Sequence, residues 1–452
     1  MAGTRAGKWY FGWNIVAAAT LVTLLTVGMR MGIGPFFLPM AEDLGFSRSL
    51  LAGIVAAGML CYGLGMPLAG HLVARWGTRP VLLLGTAIVL ASTIWTVHAR
   101  DPVSFLLAFG VAMSFGLAFT SPVAFTPLLS HWFVRRRGMA LFFLSTGSMA
   151  GIAVMTPVLT QSIAAAGWQW TLLGFAAVFA VVTIPLALLV VRDEAPADAD
   201  LLLHRAASQQ AAADPAGANS SGANPTAPRG APRGADSAGV DRARATVLAP
   251  TIKFRDALRT APFWKINLGL FACGFSMNLI GTHGVPMLMD HGFDSTTSSL
   301  GIGLIGLVAI FSTLILGRLA DILPRRHILS AIYLVRGLGF FALLLVGTHW
   351  ELYGVSTLGG LAWAGSIALS SAILADVYGV KLVGVLYGLA YLGHQVGATI
   401  SSWLGGWAYE AFGTHWVSFG SAGVLLLVAA AVSTQLPPRN FILFAPRAAP
   451  AR

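Results

Sequence analysis

Charge is the scarcest commodity in this sequence. Only 10% of its 452 residues are Asp, Glu, Lys or Arg, where a soluble domain carries about 25%. That deficit excludes an aqueous globular fold. With 56% hydrophobic residues and a mean hydropathy of +0.76, the chain reads as one that crosses a membrane many times. Cysteine is nearly absent too: Cys61 and Cys273 each lie inside an apolar run, so no disulfide framework is implied. A P-loop is missing, which excludes ATP as the driving force. "GIGLIG" (Gly301 to Gly306) matches GxGxxG only as letters, because no strand precedes it. Clustered metal ligands are lacking as well, so no enzyme, cofactor or metal site is expected. The net charge of +11 would suggest nucleic acid in a soluble protein, but here the placement of charge matters more than its sum, and no nucleic-acid partner is expected.

Long apolar runs are abundant instead. The first, Trp13 to Met40, follows Arg5 and Lys8 as a signal peptide would. Its 28 residues exceed the about 7–15 of a signal h-region, which marks a retained helix. Twelve runs of about 20 residues, the length that spans a bilayer core, cover 13–40, 49–73, 80–99, 102–128, 139–163, 168–191, 263–288, 298–317, 328–347, 352–375, 384–408 and 416–435. Basic residues fix the orientation. With the N-terminus in the cytoplasm, 24 of the 28 Lys and Arg fall on the inside, including "VRRRG" (Arg135 to Arg137) and "PRRH". Arg48 and Arg100 fall outside, and Arg30 and Arg336 lie within spans. This is the asymmetry of the positive-inside rule, and it places both termini in the cytoplasm. The bias of 24 Arg to 4 Lys points to a GC-rich bacterium and its inner membrane.

Residues 193–260 change to Ala, Pro, Gly, Ser, Asp and Arg, a composition that cannot bury enough apolar surface to fold. They read as a flexible cytoplasmic linker between six-helix bundles at 1–192 and 261–436, with a cytoplasmic tail at 437–452. The halves are related. Gly138, Gly147, Gly151, Gly167 and Trp170 recur 246 positions later as Gly384, Gly393, Gly397, Gly413 and Trp416. "GHLVARWGTRP" from Gly70 recurs as "GRLADILPRRH" from Gly317, at an offset of 247. A duplicated six-helix unit is the signature of many secondary transporters.

Six plus six helices, a long middle loop and these two short loops resemble the major facilitator superfamily. Its loop pattern, approximately G-x-L-a-D-r-x-G-r-k, matches at Gly70, Leu72, Arg75, Gly77 and Arg79, with Ala74 at the acidic position. The second copy holds Gly317, Arg318, Asp321 and Arg325 but has Pro324 at the second glycine. The resemblance implies that these loops latch the cytoplasmic side shut, and that Asp321 carries the acidic share of that gating. "WYFGWNIV" (Trp9 to Val16) and "WFVRRRGMALFFLSTGS" (Trp132 to Ser148) look like the monocarboxylate-porter and oxalate/formate-antiporter branches. The acidic residue that often precedes the first tryptophan pair is absent. Residues 298–317 lack the Asp and Arg found in many relatives, so that proton-and-substrate pair cannot be carried over.

Few residues remain that could act inside the membrane. Arg30 lies about 25 Å into the first helix at 1.5 Å per residue, too deep for an easy snorkel. An uncompensated arginine there costs at least about 2.5–3.5 kcal/mol. It therefore faces a cavity or a partner: either a fixed receptor for a carboxylate or a structural cation bonded to helix-end carbonyls. Counted from Phe11 and Phe263, Arg30 and His283 stand 19 and 20 residues on, which predicts nearly matched depths in opposite halves. Tyr387, Tyr391, His394, Gln395, Ala398 and Ser402 form one polar face at helical spacing, serving either a binding site or interhelical hydrogen bonds. Trp363, Ser366 and Ser370 share a face of the tenth helix, and Asn278 of the seventh is a further candidate. Arg336 reads as structural, near enough to the basic side to snorkel. No Asp or Glu lies in a helix interior. A coupled proton would then ride on a histidine or on the substrate, and anion exchange needs neither.

The sequence thus predicts a monomeric all-α membrane protein of twelve helices in two pseudo-symmetric bundles. The expected activity is secondary transport of small organic anions, most plausibly monocarboxylates, by alternating access as proton symport or anion antiport. Arg30 would bind the carboxylate, with His283, His394, Gln395, Tyr391, Asn278, Trp363 and Ser366 around it. Efflux of amphipathic drugs, with Arg30 structural, and a non-transporting sensor are the alternatives.

Overall fold

The computed structural model describes residues 10–133, 137–194, 254–363 and 365–438. Most of the expected linker (195–253) and tail (439–452) lies outside these residues. At the linker's end, Phe254–Leu258 forms a short helix.

Ten helical elements among the described residues are long and apolar enough to cross a membrane. One of them, Met139–Val190, holds two crossings, because Gly167 turns the chain at φ +81°. Val380–Phe412, 33 residues long, adds another. The twelve expected helices are thus present. They are α1 (Gly12–Met31, continued by Gly34–Leu44), α2 (Arg48–Trp76), α3 (Thr78–His98) and α4 (Pro102–Trp132). Next come α5 and α6 on either side of Gly167 within Met139–Val190, α7 (Ala261–Asp290) and α8 (Ser295–Ile322). The chain ends with α9 (Arg325–Leu344), α10 (His349–Leu361 and Ser366–Tyr378), α11 (Val380–Phe412) and α12 (Trp416–Thr434).

Helix starts carry orphan N–H groups that capping side chains satisfy. On the face where Arg48 lies, here the far face, side chains cap four starts. Ser47 accepts from Leu50, Asp101 from Ser104, Asp294 from Thr297, and Thr348 forms a capping box with Glu351. On the opposite, basic face the cap comes from a distance. Asp193, just beyond α6, accepts from the N–H of Thr78 at 2.7 Å and of Arg79 at 3.4 Å. The loop 70–79 that lacks an acidic residue at Ala74 is thereby tied to a carboxylate of its own bundle. In the second copy, Arg325 pairs with Asp376 at 2.7 Å, again within one bundle. Arg75, Arg79 and Arg318 are exposed. The side chain of Asp321 lies outside the described part.

The duplicated glycines make the same contact twice. Gly147 and Gly151 of α5 lie against the backbone of Thr20, Leu24 and Gly28 in α1, and Gly397 of α11 lies against that of Phe271 and Phe275 in α7, with Gly393 against Asn267. Small residues let membrane helices approach backbone to backbone. These contacts equate position 24 with 271 and 28 with 275, an offset of 247.

A side chain at Gly397 would meet the Phe271 carbonyl, whereas Gly388 on the same helix has open space. Gly397→Val should destabilise the protein by about 1–3 kcal/mol, the usual cost of overpacking. Gly388→Ala should be neutral or slightly stabilising. Thermal unfolding of the two detergent-purified variants reads this difference.

Candidate functional site

Arg30 occupies the last turn of the first half of α1, just before the chain breaks at Gly32 and Ile33. A helix C-terminus favours a cation. Its Nη2 donates to Asn278 Oδ1 at 2.9 Å and to Gln395 Oε1 at 3.3 Å, both across the interface between the bundles. The Asn278 amide is itself oriented, since its Nδ2 donates to the Gly274 carbonyl at 2.8 Å. The guanidinium carbon lies 4.4 Å from the ring centre of Tyr62. Its Nε is buried without a partner. Among the described residues no carboxylate pairs with Arg30. A full charge is therefore held at mid-depth by two neutral amides and an aromatic face.

His394 is buried beside Gln395, with neither ring nitrogen hydrogen-bonded among the described residues. Its ring stacks on Tyr391 at 4.8 Å between centroids, and Tyr391 lies within electrostatic reach of Arg30 and Tyr62. Arg30, Asn278, Gln395, Tyr391 and His394 thus form one neighbourhood.

His283 does not belong to it. Its Nε2 pairs with the Ser402 carbonyl at 2.7 Å and its ring meets Phe37 edge-on. The matched depth expected for Arg30 and His283 is corrected by the glycine register, which makes Met277 the counterpart of Arg30. His283 stands six residues, or about 9 Å, further toward the far face. Counting from Phe11 and Phe263 compared helix starts, whereas the backbone contacts set the true alignment.

Trp363 and Ser366 form a second cluster inside the C-terminal bundle. There α10 is interrupted, and Arg336 donates to the freed carbonyls of Ala362, at 2.8 Å, and Trp363. The same guanidinium reaches Cys273 Sγ at 3.3 Å and lies over the Trp363 ring. Ser366 Oγ is 3.2 Å from Cys273 Sγ. Arg336 is only 1% exposed. Its role follows from neutralising the end of a broken helix, and the snorkel expected from the sequence is replaced by full burial.

A third group closes the far face. Arg48 of α2 forms a two-pronged pair with Asp290 at the end of α7, at 2.6 and 3.0 Å, and lies over Tyr409 of α11. His415, before α12, holds the same carboxylate at 2.9 Å. The N–H of Ser49 donates to Glu410 at 2.9 Å. Among the described residues, polar contacts between the bundles lie here and at mid-depth, and none joins them on the basic face. Sequence reasoning missed Tyr62, the one tyrosine of α2, and this far-face group. Arg48 was visible as one of two basic residues on that side, but its partners, Asp290 and Tyr409, come from two distant chain segments.

Comparisons with known proteins agree with this architecture. The family model described as Major Facilitator Superfamily matches residues 19–348 and 266–449. An MFS-type transporter of Bacillus subtilis, YcxA, is 26% identical over 88% of this chain and 86% of its own length. Human monocarboxylate transporter 11 is 25% identical, over 96% and 84%. The fujikurins efflux protein of Gibberella fujikuroi is 23% identical, over 93% and 81%. Among solved structures, the inward open conformation of the xylose transporter XylE from E. coli matches with a TM-score of 0.67 at 14% identity, covering 94% of this chain and 97% of that one. That likeness carries the fold.

The amide cradle of Arg30 is testable without a substrate. Asn278→Leu leaves a buried cation short of one acceptor and should cost about 1–3 kcal/mol. Asn278→Asp supplies the missing countercharge and should raise the melting temperature above that of the Leu variant and of the wild type. Thermal unfolding in detergent distinguishes the three proteins.

Proposed function

From the premise that this chain belongs to the major facilitator superfamily, we propose that it carries small organic anions, monocarboxylates first among them, by alternating access. The observation that carries this reading is the cation at the bundle interface whose partners are neutral amides. A carboxylate is the acceptor that an arginine fork fits best, and charge-assisted bonds are roughly twice as strong as neutral ones. An arriving anion would displace the Asn278 and Gln395 oxygens, which are tied to the other bundle. Binding would thereby alter the mid-depth contacts that hold the bundles together. The likeness to a monocarboxylate transporter over most of the chain supports the same class.

The orientation proposed is that of the basic residues: basic face and both termini in the cytoplasm of a bacterial inner membrane, with residues 1–192 and 261–436 as the rocking units and 193–260 linking them. In that frame the far-face cluster is the closed outer gate, and the described state faces inward. The loops at 70–79 and 317–325 would engage only when the cytoplasmic side closes. Charge balance would be met by the anion's own proton, by exchange, or by His394, whose ring nitrogens have no hydrogen bond among the described residues.

The test is reconstitution into liposomes with labelled mono- and dicarboxylates, with and without a pH gradient. Arg30→Ala should lose uptake about 10–100-fold, as removal of a hydrogen bond to a charged group worth about 1.5–3 kcal/mol implies. Arg30→Lys should recover part of it, because an ammonium keeps the charge but not the fork. Absence of anion transport, or full activity in Arg30→Ala, would falsify the reading. Efflux of larger molecules, favoured by the likeness to the fujikurins exporter, predicts that second result.

The gate has its own readout. Ser402 is buried on the site side of the Arg48–Asp290 pair. A cysteine introduced there, with Cys61 and Cys273 replaced by Ser, should react slowly with an impermeant thiol reagent added from the far face. Adding Asp290→Ala should speed that reaction severalfold, and an unchanged rate would remove the pair from the gate.

A further inference from the structure

Beside Arg30, the N-terminal bundle contains a cavity of about 50 Å³ between α1, α2 and α4. Its wall is apolar apart from Arg30, Tyr62 and Ser114, and Met59, Phe109 and Met113 supply much of the rest. A second, independent feature coincides with it. Residues Leu106–Ala112 of α4 wind as a π-helix, and Phe109 and Gly110 of that segment line the cavity. Wide π turns inside membrane helices occur often at functional positions. The wide turn leaves one hydrogen bond per turn less regular than in an α-helix, so it has to be kept by something other than helix propensity.

We propose that this cavity receives the hydrocarbon end of the transported anion while its carboxylate sits on Arg30, so that the π-helical turn of α4 sets the chain length accepted. The inference rests on the reading of Arg30 as the carboxylate receptor and adds the shape of the remainder of the substrate. Arg30 is suited to stand at the mouth. Its Nη2 faces the amides of the other bundle, while its Nε is buried and unpartnered.

The dimensions choose the ligand class. At about 10–15 Å³ for one water-sized group, the cavity has room for roughly three to five such groups. That suits a short aliphatic tail better than a benzene ring or a long acyl chain. The wall also disfavours a second charge, because apart from Arg30 its only polar side chains are Tyr62 and Ser114. A buried carboxylate without a partner is strongly disfavoured. Short aliphatic monocarboxylates therefore fit better than dicarboxylates or aromatic acids.

Two variants change the length of the cavity in opposite directions: Met113→Ala deepens it and Ser114→Leu fills it. The experiment is uptake of labelled acetate, butyrate, hexanoate, benzoate and succinate into proteoliposomes, with each variant's monodispersity checked by size-exclusion chromatography. Hydrophobic pockets discriminate one methylene by about 10–200-fold. The wild type should therefore prefer butyrate to hexanoate, benzoate and succinate. Met113→Ala should raise the hexanoate-to-butyrate ratio at least about tenfold, and Ser114→Leu should lower the butyrate-to-acetate ratio by a similar factor. Protection against thermal unfolding by the same acids should follow the same order, which keeps the test readable if one variant reconstitutes poorly. Unchanged ratios in both variants, while Arg30→Ala still abolishes uptake, would make the cavity a packing void and leave the anion reading standing. If the wild type carries none of the five acids, the reading of Arg30 fails first and this inference fails with it.

Discussion

A guanidinium at mid-membrane is tolerable only where the protein replaces the water it has lost. Arg30 meets that constraint with parts drawn from both halves of the chain. The end of a half-helix supplies a favourable dipole, Tyr62 supplies an aromatic face, and Asn278 and Gln395 supply oxygen acceptors from the opposite bundle. None of these groups carries the countercharge. Much of the architecture at this depth follows from that choice: α1 is broken after Met31, Asn278 is fixed by the Gly274 carbonyl, and α11 directs Gln395 into the interface.

Arg336 shows what the same residue type does when the protein satisfies it fully. From within α9 it faces the end of an interrupted helix, α10, yet its partners are backbone carbonyls of its own bundle, a sulfur and an indole face. These oxygens cannot leave without unfolding α10. Asn278 and Gln395 belong to the opposite bundle, and in the proposed cycle they withdraw when the bundles part. Two buried arginines in one chain therefore have opposite mechanical characters, one fixed and one held by a partner free to move.

Much of the fold was legible in the sequence, because membrane helices announce themselves by length and hydropathy and the duplication by recurring glycines. The interruptions were less visible, although Gly32, Gly34 and Pro35 mark the break in α1 and Gly365 that in α10. Arg30 stood out as the lone charge of its span. Its partners did not, since the pairing with Asn278 depends on a helix register that backbone contacts at Gly151 and Gly397 determine. His283 was misplaced for the same reason. Helix starts vary by several residues, and six residues of error move a side chain by about 9 Å. The far-face cluster joins residues 48, 290, 409, 410 and 415, a proximity that only the packed bundles create.

Asp290 has two partners of different standing. Arg48 belongs to the opposite bundle, whereas His415 belongs to its own. When the bundles separate on that face, the carboxylate keeps the imidazole and is never stripped bare. Arg48, which is about a quarter exposed already, passes into water. The pair is two-pronged and largely shielded, with Asp290 only 16% exposed, so parting it costs more than the about 0–1 kcal/mol of a fully exposed contact. In the proposed cycle, separation trades the two-pronged pair for water around Arg48 and the retained imidazole beside Asp290. His415 thus spares the proposed opening step part of its electrostatic cost, because only one of the two charges has to find new partners.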